Sequence, residues 1–194
     1  PSPFRHELIN QILLDLYDSL TDQYINSNHR LIVSLKQFTE VARFMITDEV
    51  YRVHLTHIVS LLMTKIGTND LSLTNSVFNA IVTVVSFVQF HDFSSPDGFL
   101  SFESDTVPFI QDHLFFIKDN PSAQFRPESD TLRRAFVAST KIFKDLVKNL
   151  IDKYILLLDA DINEKLLFKF SQTLLILVES LSEDIFRYMV TLVK

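Results

Sequence analysis

Leu71-Ser72-Leu73-Thr74-Asn75-Ser76-Val77-Phe78-Asn79-Ala80-Ile81-Val82-Thr83-Val84-Val85-Ser86-Phe87-Val88-Gln89-Phe90 is a run of twenty residues without a charge. Its apolar residues recur at three and four, the period of a helix, and Asp70 or Ser72 supplies an N-cap. A membrane span is excluded by Ser72, Thr74, Asn75, Ser76, Asn79, Thr83, Ser86 and Gln89, which interrupt the run too often. The stretch predicts the buried inner helix of an all-α protein.

The same period extends outward on both sides. Residues 3–25 predict a first helix with Leu8, Ile12, Leu16, Leu20 and Tyr24 on one stripe. After the Asn26-Ser27-Asn28 break, Leu31, Leu35, Phe38, Ala42 and Met45 mark a second. Asp48 is placed to cap a third over 50–65, with Gly67 as its stop. From His91 the pattern fails: Pro96, Pro108, Pro121 and Pro127 punctuate it, and over 94–130 seven carboxylates against two cations leave a net −5. We expect there an acidic inserted surface segment with one short element near 107–117, packed down through Leu114-Phe115-Phe116-Ile117. Periodicity resumes at Asp130, read as an N-cap, in one long helix to about 158 with Phe136, Phe143, Val147, Leu150 and Tyr154 on its buried side. Two further helices, 161–179 and 182 onward, follow after short links.

Short links between neighbouring helices make antiparallel pairs. Pairs recurring every ~40–47 residues are the arithmetic of HEAT and armadillo arrays, and residues 4–46, 48–89 and 130–179 are each near that length. The expected fold is an all-α, HEAT/armadillo-like α-solenoid segment of antiparallel helix pairs; a closed bundle is the rival. Three regions follow: helical repeats in 1–90 (two helix pairs), the acidic, proline-containing insertion or loop in 91–130, and helical repeats in 131–194 continuing beyond the chain. The start at Pro1 without Met and the end inside an apolar-periodic run suggest a piece of a longer polypeptide, with no secretory leader in it.

Composition narrows function by exclusion. Two glycines, Gly67 and Gly98, leave no material for a phosphate-cradling loop or a dinucleotide turn, and only Asp97-Gly98 could serve a tight hairpin. With no cysteine there is neither a disulfide framework nor a Cys-rich zinc site, so an intracellular compartment is expected. A net charge of −6 argues against direct nucleic-acid binding. The 18 phenylalanines read as core.

The remaining constellations have plain structural readings. His54 and His57 stand three apart, whereas a helical zinc pair of the HExxH kind needs four and a glutamate between, so they are expected as an ordinary helix-surface pair. His91-Asp92 reads as a helix-termination feature. Asp159-Ala160-Asp161-Ile162-Asn163 starts like a calcium loop but has Glu164 where glycine is needed and Phe170 where the bidentate glutamate is needed; an interhelical turn capped by Asp161 is expected. No serine lies in a GxSxG elbow, and the carboxylate pairs Asp48-Glu49 and Glu183-Asp184 suit helix starts. No metal, no cofactor and no catalysis are therefore expected. Arg134, Lys141, Lys144 and Lys148, at spacings of seven, three and four, share one stripe of the long helix opposite Phe143, Val147 and Leu150. They are the candidate partner-binding residues, for an acidic protein surface or a polyanion; a solvated face balanced by Asp145 and Asp152 is the alternative.

Lys65-Ile66-Gly67-Thr68-Asn69-Asp70, followed by Val77-Phe78-Asn79-Ala80-Ile81-Val82-Thr83-Val84-Val85, resembles the large HEAT-repeat proteasome activators of the bleomycin-sensitivity type, in which a Gly-x-Asn-Asp turn similarly separates two repeat helices. Phe143-Lys144-Asp145-Leu146-Val147 through Tyr154, then Ser182-Glu183-Asp184-Ile185-Phe186, resembles their next repeat. The resemblance implies a long solenoid that wraps into a dome on the end ring of the proteasome core particle, loosens its gate and stimulates peptide hydrolysis without ATP. It also implies a location in nucleus and cytoplasm and a link to DNA repair. Such activators dock through a hydrophobic-Tyr-x tail; the chain ends Leu192-Val193-Lys194 without it, so the resemblance leads us to expect these residues in the dome wall rather than in direct docking. The competing readings are another HEAT or armadillo scaffold, such as a nuclear transport receptor, and a helical enzyme whose site lies elsewhere.

Overall fold

The computed structural model describes residues 3–21, 27–67, 69–92, 96–159, 164–178, 187, 190 and 191. Its helices are α1 (Pro3–Thr21), α2 (Ser27–Met45), α3 (Glu49–Met63), α4 (Leu71–Phe87), α5 (Pro96–Ser101), a π-helical turn (Phe102–Thr106), α6 (Val107–Asp119), α7 (Ser129–Ser139), α8 (Lys144–Asp159) and α9 (Glu164–Val178). Two dipeptides, β1 (His91–Asp92) and β2 (Lys141–Ile142), pair in parallel as a bridge between helices. Tyr24, Asp161, Glu183 and Asp184 lie outside the described residues. Of the helix expected from 182 onward only Arg187, Val190 and Thr191 are described, each helical.

The helices stack as hairpins. α1 packs on α2, α3 on α4 and α8 on α9, while α2, α4 and α9 contact one another in a row and α3 meets α7 and α8 on the other side. Direction within the row is fixed at its start. Asp70 caps α4 by accepting from the Leu73 N–H at 2.9 Å, and its other oxygen accepts from Asn28 Nδ2 at the start of α2 at 3.1 Å. Lys169, near the start of α9, reaches Asn75 Oδ1 near the start of α4 at 3.3 Å. Three successive second helices thus point the same way, which is the repeat of an all-α solenoid.

The core follows the predicted stripes. Leu31, Leu35, Phe38, Ala42 and Met45 of α2 are all buried, as are Ile12, Leu16 and Leu20 of α1, whereas Leu8 is exposed. The uncharged run becomes α4, with Leu73, Val77, Phe78, Ala80, Ile81, Val84 and Val85 inside. Phe78 meets Phe170 of α9 with ring centroids 3.9 Å apart, and Tyr154 of α8 closes on the same ring at 4.8 Å. Asp48 caps α3 through Val50 N–H as expected. Gly67 does not stop it: α3 ends at Met63 with Thr64 as cap. The glycine lies outside the left-handed region, a Cβ there would meet nothing within 4 Å, and its backbone is held by Thr74, whose hydroxyl donates to Gly67 O at 2.6 Å.

Two expectations are corrected. The segment expected as a loop with one short element is helical from Pro96 to Asp119. Pro108 explains why the pattern hid this. It lacks an N–H and would press on the Ser104 carbonyl in a regular helix, and the π turn just before it, closed by Val107 N–H on Phe102 O, relieves that contact. Phe102, Phe109, Ile110 and Ile117 are buried, so the segment belongs to the core. The long helix over 130–158 is in fact two, α7 and α8, and α7 is preceded by Glu128 as cap residue rather than Asp130. At the break the hydroxyls of Ser139 and Thr140 turn back onto Phe136 O and Val137 O, a local competition that weakens a helix. The two carbonyls freed by the break find other donors: Ser139 O accepts from the Thr56 hydroxyl and Thr140 O from the His91 N–H. His91 therefore anchors the bridge to α7, beyond the helix-end role expected for it.

Candidate functional site

Where α1, α3 and α6 meet, the apolar interior gives way to a polar and aromatic seam. α1 brings His6, Asn10 and Tyr17 to one face, and α3 brings Tyr51, His54 and His57 at intervals of three. His113 comes from the buried side of α6. The Tyr17 hydroxyl lies 3.0 Å from His54 Nδ1, and His54 Nε2 lies 2.8 Å from His113 Nδ1. In a second branch the Tyr51 hydroxyl donates to Asn10 Oδ1 at 2.9 Å and meets His6 Nδ1 at 3.0 Å, while Asn10 Nδ2 donates to Pro121 O at 2.8 Å. Phe125, beyond α6, stacks on His113 at 4.9 Å, and the Tyr51 ring lies 5.6 Å from it.

Burial sets the charge of the seam. It pushes His54 well below its usual range, helped by the neighbouring His113 and His57. Burial alone lowers His57 and takes His113 down to about 4. The same cause raises Tyr17 and Tyr51, the latter also through Asp48. All five groups are neutral at pH 7, joined by hydrogen bonds that need no charge. The expected surface pair His54 and His57 is thus overturned: His54 is 0% exposed and His57 half-buried, stacked on Tyr17 at 6.0 Å. The reason lies in α3 itself, a central helix with buried residues all round, Tyr51, Val53, Leu55, Thr56, Ile58, Val59, Leu62 and Met63 among them. Nothing in the residue types alone joined His113 and Tyr17 to that pair. The signal available was His54 between Tyr51 and Ile58 on an apolar face.

The four candidate partner-binding residues do not share one helix. Arg134 sits on α7, Lys141 on the bridge, Lys144 and Lys148 on α8, because the helix breaks between them. Arg134 pairs with Asp105 of the π turn at 3.7 Å. A shallow hollow on α9 is lined by Glu164, Lys165, Phe168, Lys169 and Gln172. Among the described residues no group of three or more His, Asp or Glu could hold a metal ion, and no helix is long and apolar enough to cross a membrane. Two buried polar atoms, Arg52 Nε and His57 Nδ1, have no hydrogen-bond partner among the described residues; Arg52 lies over the Phe136 ring at 4.9 Å.

Stacked hairpins with aligned second helices define an α-solenoid protein of the HEAT-repeat class. Residues 5–194 match the family model described as proteasome activator complex subunit 4, mid HEAT repeats region, and the chain belongs to that family. It is 43% identical over 188 residues to proteasome activator BLM10 of Saccharomyces cerevisiae, a match that takes in 96% of this chain and 9% of that protein's length.

Proposed function

We propose that this chain is a scaffold segment of a proteasome activator, a stretch of the wall of a solenoid that caps the end ring of the core particle, loosens its gate and stimulates peptide hydrolysis without ATP. The observation that supports it is the 43% identity to a proteasome activator, carried through nearly the whole chain. In this reading the segment does no chemistry. It transmits shape from one repeat to the next through the α2–α4–α9 row, holds no cofactor, and contacts neither nucleic acid nor membrane. Contact with an acidic partner surface falls to Arg134, Lys141, Lys144 and Lys148, from two successive helices and the bridge between them. The full-length protein resides in nucleus and cytoplasm and serves DNA repair through the proteasome.

Affinity purification of the full-length protein containing this chain, followed by mass spectrometry, tests the reading. Core proteasome subunits in stoichiometric amount are expected, together with faster hydrolysis of a fluorogenic peptide by purified core particle when the protein is added. Recovery of a small GTPase and transport cargo without core subunits would replace it with the transport-receptor reading.

A further inference from the structure

The arm formed by α5, the π turn and α6 belongs to neither layer of the hairpin stack. It packs against α1, α3 and α7 through Phe102, Phe109, Ile110 and Ile117, and its π turn is held to α7 by the Thr106 hydroxyl on Ala135 O at 3.2 Å; among the described residues α6 itself is tied to the stack by the contact of His113 Nδ1 with His54 Nε2 at 2.8 Å. We propose that this contact is an acid-opened clasp: at neutral pH two uncharged imidazoles fasten the arm to the stack, and acidification releases the arm while the helix pairs stay folded.

The geometry leaves no room for two protons. His54 has both ring nitrogens engaged, Nδ1 with Tyr17 and Nε2 with His113, so two imidazolium rings would set N–H against N–H across the gap. Among the described residues, the groups that face the pair are unable to compensate the charge. α1 offers the Tyr17 hydroxyl to His54 and, one step further along the seam, His6 beside Tyr51. α3 offers Tyr51 against His113, and His57 one turn from His54. The segment after α6 offers the Phe125 ring. The π turn offers Phe102, against His57 at 6.2 Å, while its Asp105 is turned to Arg134 of α7. Asp112 on α6 is exposed, and Asp48 acts on Tyr51, not on the imidazoles. No carboxylate hydrogen-bonds either imidazole among the described residues.

Release is local for a structural reason. Once α6 lifts, His54 Nε2 and His113 both gain water, and both can carry protons without α3 unfolding. α4 and α9 contain no histidine, and His29 of α2 is exposed, so the row α2–α4–α9 has no buried imidazole to charge.

The test is hydrogen–deuterium exchange of the full-length protein between pH 7.5 and 4.5, corrected for the intrinsic pH dependence of amide exchange. Histidine C2–H exchange on the same samples reports the titration of His54 and His113. Because opening takes up a proton on each imidazole, peptides from α6 are expected to lose protection by about a hundredfold per pH unit below 6.5, the ordinary histidine value, while α2 and α4 keep theirs. The loss should follow the histidine titrations. His113→Gln, which cannot take up a proton, is expected to make the profile about half as steep, leaving the one-proton slope of His54. Protection of α6 that survives to pH 4.5, or that is lost together with α2 and α4, overturns the proposal. So does a release midpoint unrelated to either histidine, a readout of the unmodified protein that stands even if the variant folds poorly.

Discussion

Thr56, in the middle of α3, gives its hydroxyl hydrogen to the carbonyl of Ser139, 83 residues further along the chain at the last turn of α7. That carbonyl would serve Phe143 N–H if the helix ran on. The bond therefore satisfies the break between α7 and α8 and ties it to the centre of the stack.

Removing it should be costly out of proportion to its size. Thr56→Val keeps the volume and leaves the Ser139 carbonyl buried without a donor, a penalty of about 1–3 kcal/mol. Urea unfolding should show a lower midpoint with an unchanged slope, and Thr56→Ser should recover most of the loss. A valine variant as stable as the parent would show that the carbonyl finds water.

The break also shows how far the sequence could be read. Apolar spacing located α1 to α4 because their apolar residues recur at the helical period over their whole length, and Asp48 and Asp70 marked two starts by capping. It could not separate α7 from α8, since the spacing from Phe136 through Val147 to Tyr154 stays helical while the carbonyl partners that end α7 come from Thr56 and His91, far away in sequence. The placement of Arg134, Lys141, Lys144 and Lys148 on one helix went with it, since the break puts them on α7, the bridge and α8. Pro108 misled in the opposite sense: a residue that ends regular helices sits here behind a π turn that accommodates it. The seam was illegible for a third reason. Histidines have no fixed preference for inside or outside, and what settled His54 was the number of elements packed around α3.

Asp70 joins two repeats at one point, capping α4 and receiving Asn28 of α2. Asp70→Ala is expected to lose about 1 kcal/mol from the cap. Asp70→Asn should keep most of it, because the amide oxygen still accepts from Leu73 N–H. Asn28→Ala, which breaks only the exposed link, should change stability by less than about 0.5 kcal/mol. Thermal melts of the three variants check the order; equal losses for Asn28→Ala and Asp70→Ala would contradict it.

Phe170 is the fully buried side chain through which α9 meets both α4 and α8. Phe170→Ala opens a cavity between three helices and should cost about 3–5 kcal/mol. Phe170→Leu should cost clearly less. The larger variant should also free α9 first, seen as protease cleavage in 164–178 before any cut in α2. Simultaneous cleavage of both helices would mean that the last hairpin has no stability of its own.

The buried histidines and tyrosines together shape stability against pH. His54, His57 and His113 titrate below the ordinary 6.5 in the fold, so between that value and their folded values the unfolded chain binds more protons than the native one. Their contribution is complete above about pH 6.5 and is lost as pH falls, for His113 down to about 4. That single group accounts for on the order of 3 kcal/mol. Tyr17 and Tyr51 act on the alkaline side. They titrate above the ordinary 10.0 in the fold, so stability falls as pH rises past that value and the unfolded chain forms tyrosinate. Urea midpoints from pH 4.5 to 11 should trace a plateau with a shoulder on each side. His113→Gln should shallow the acid shoulder and leave the alkaline one in place. A midpoint constant from pH 7 to 5 would mean that water already reaches these rings in the folded protein.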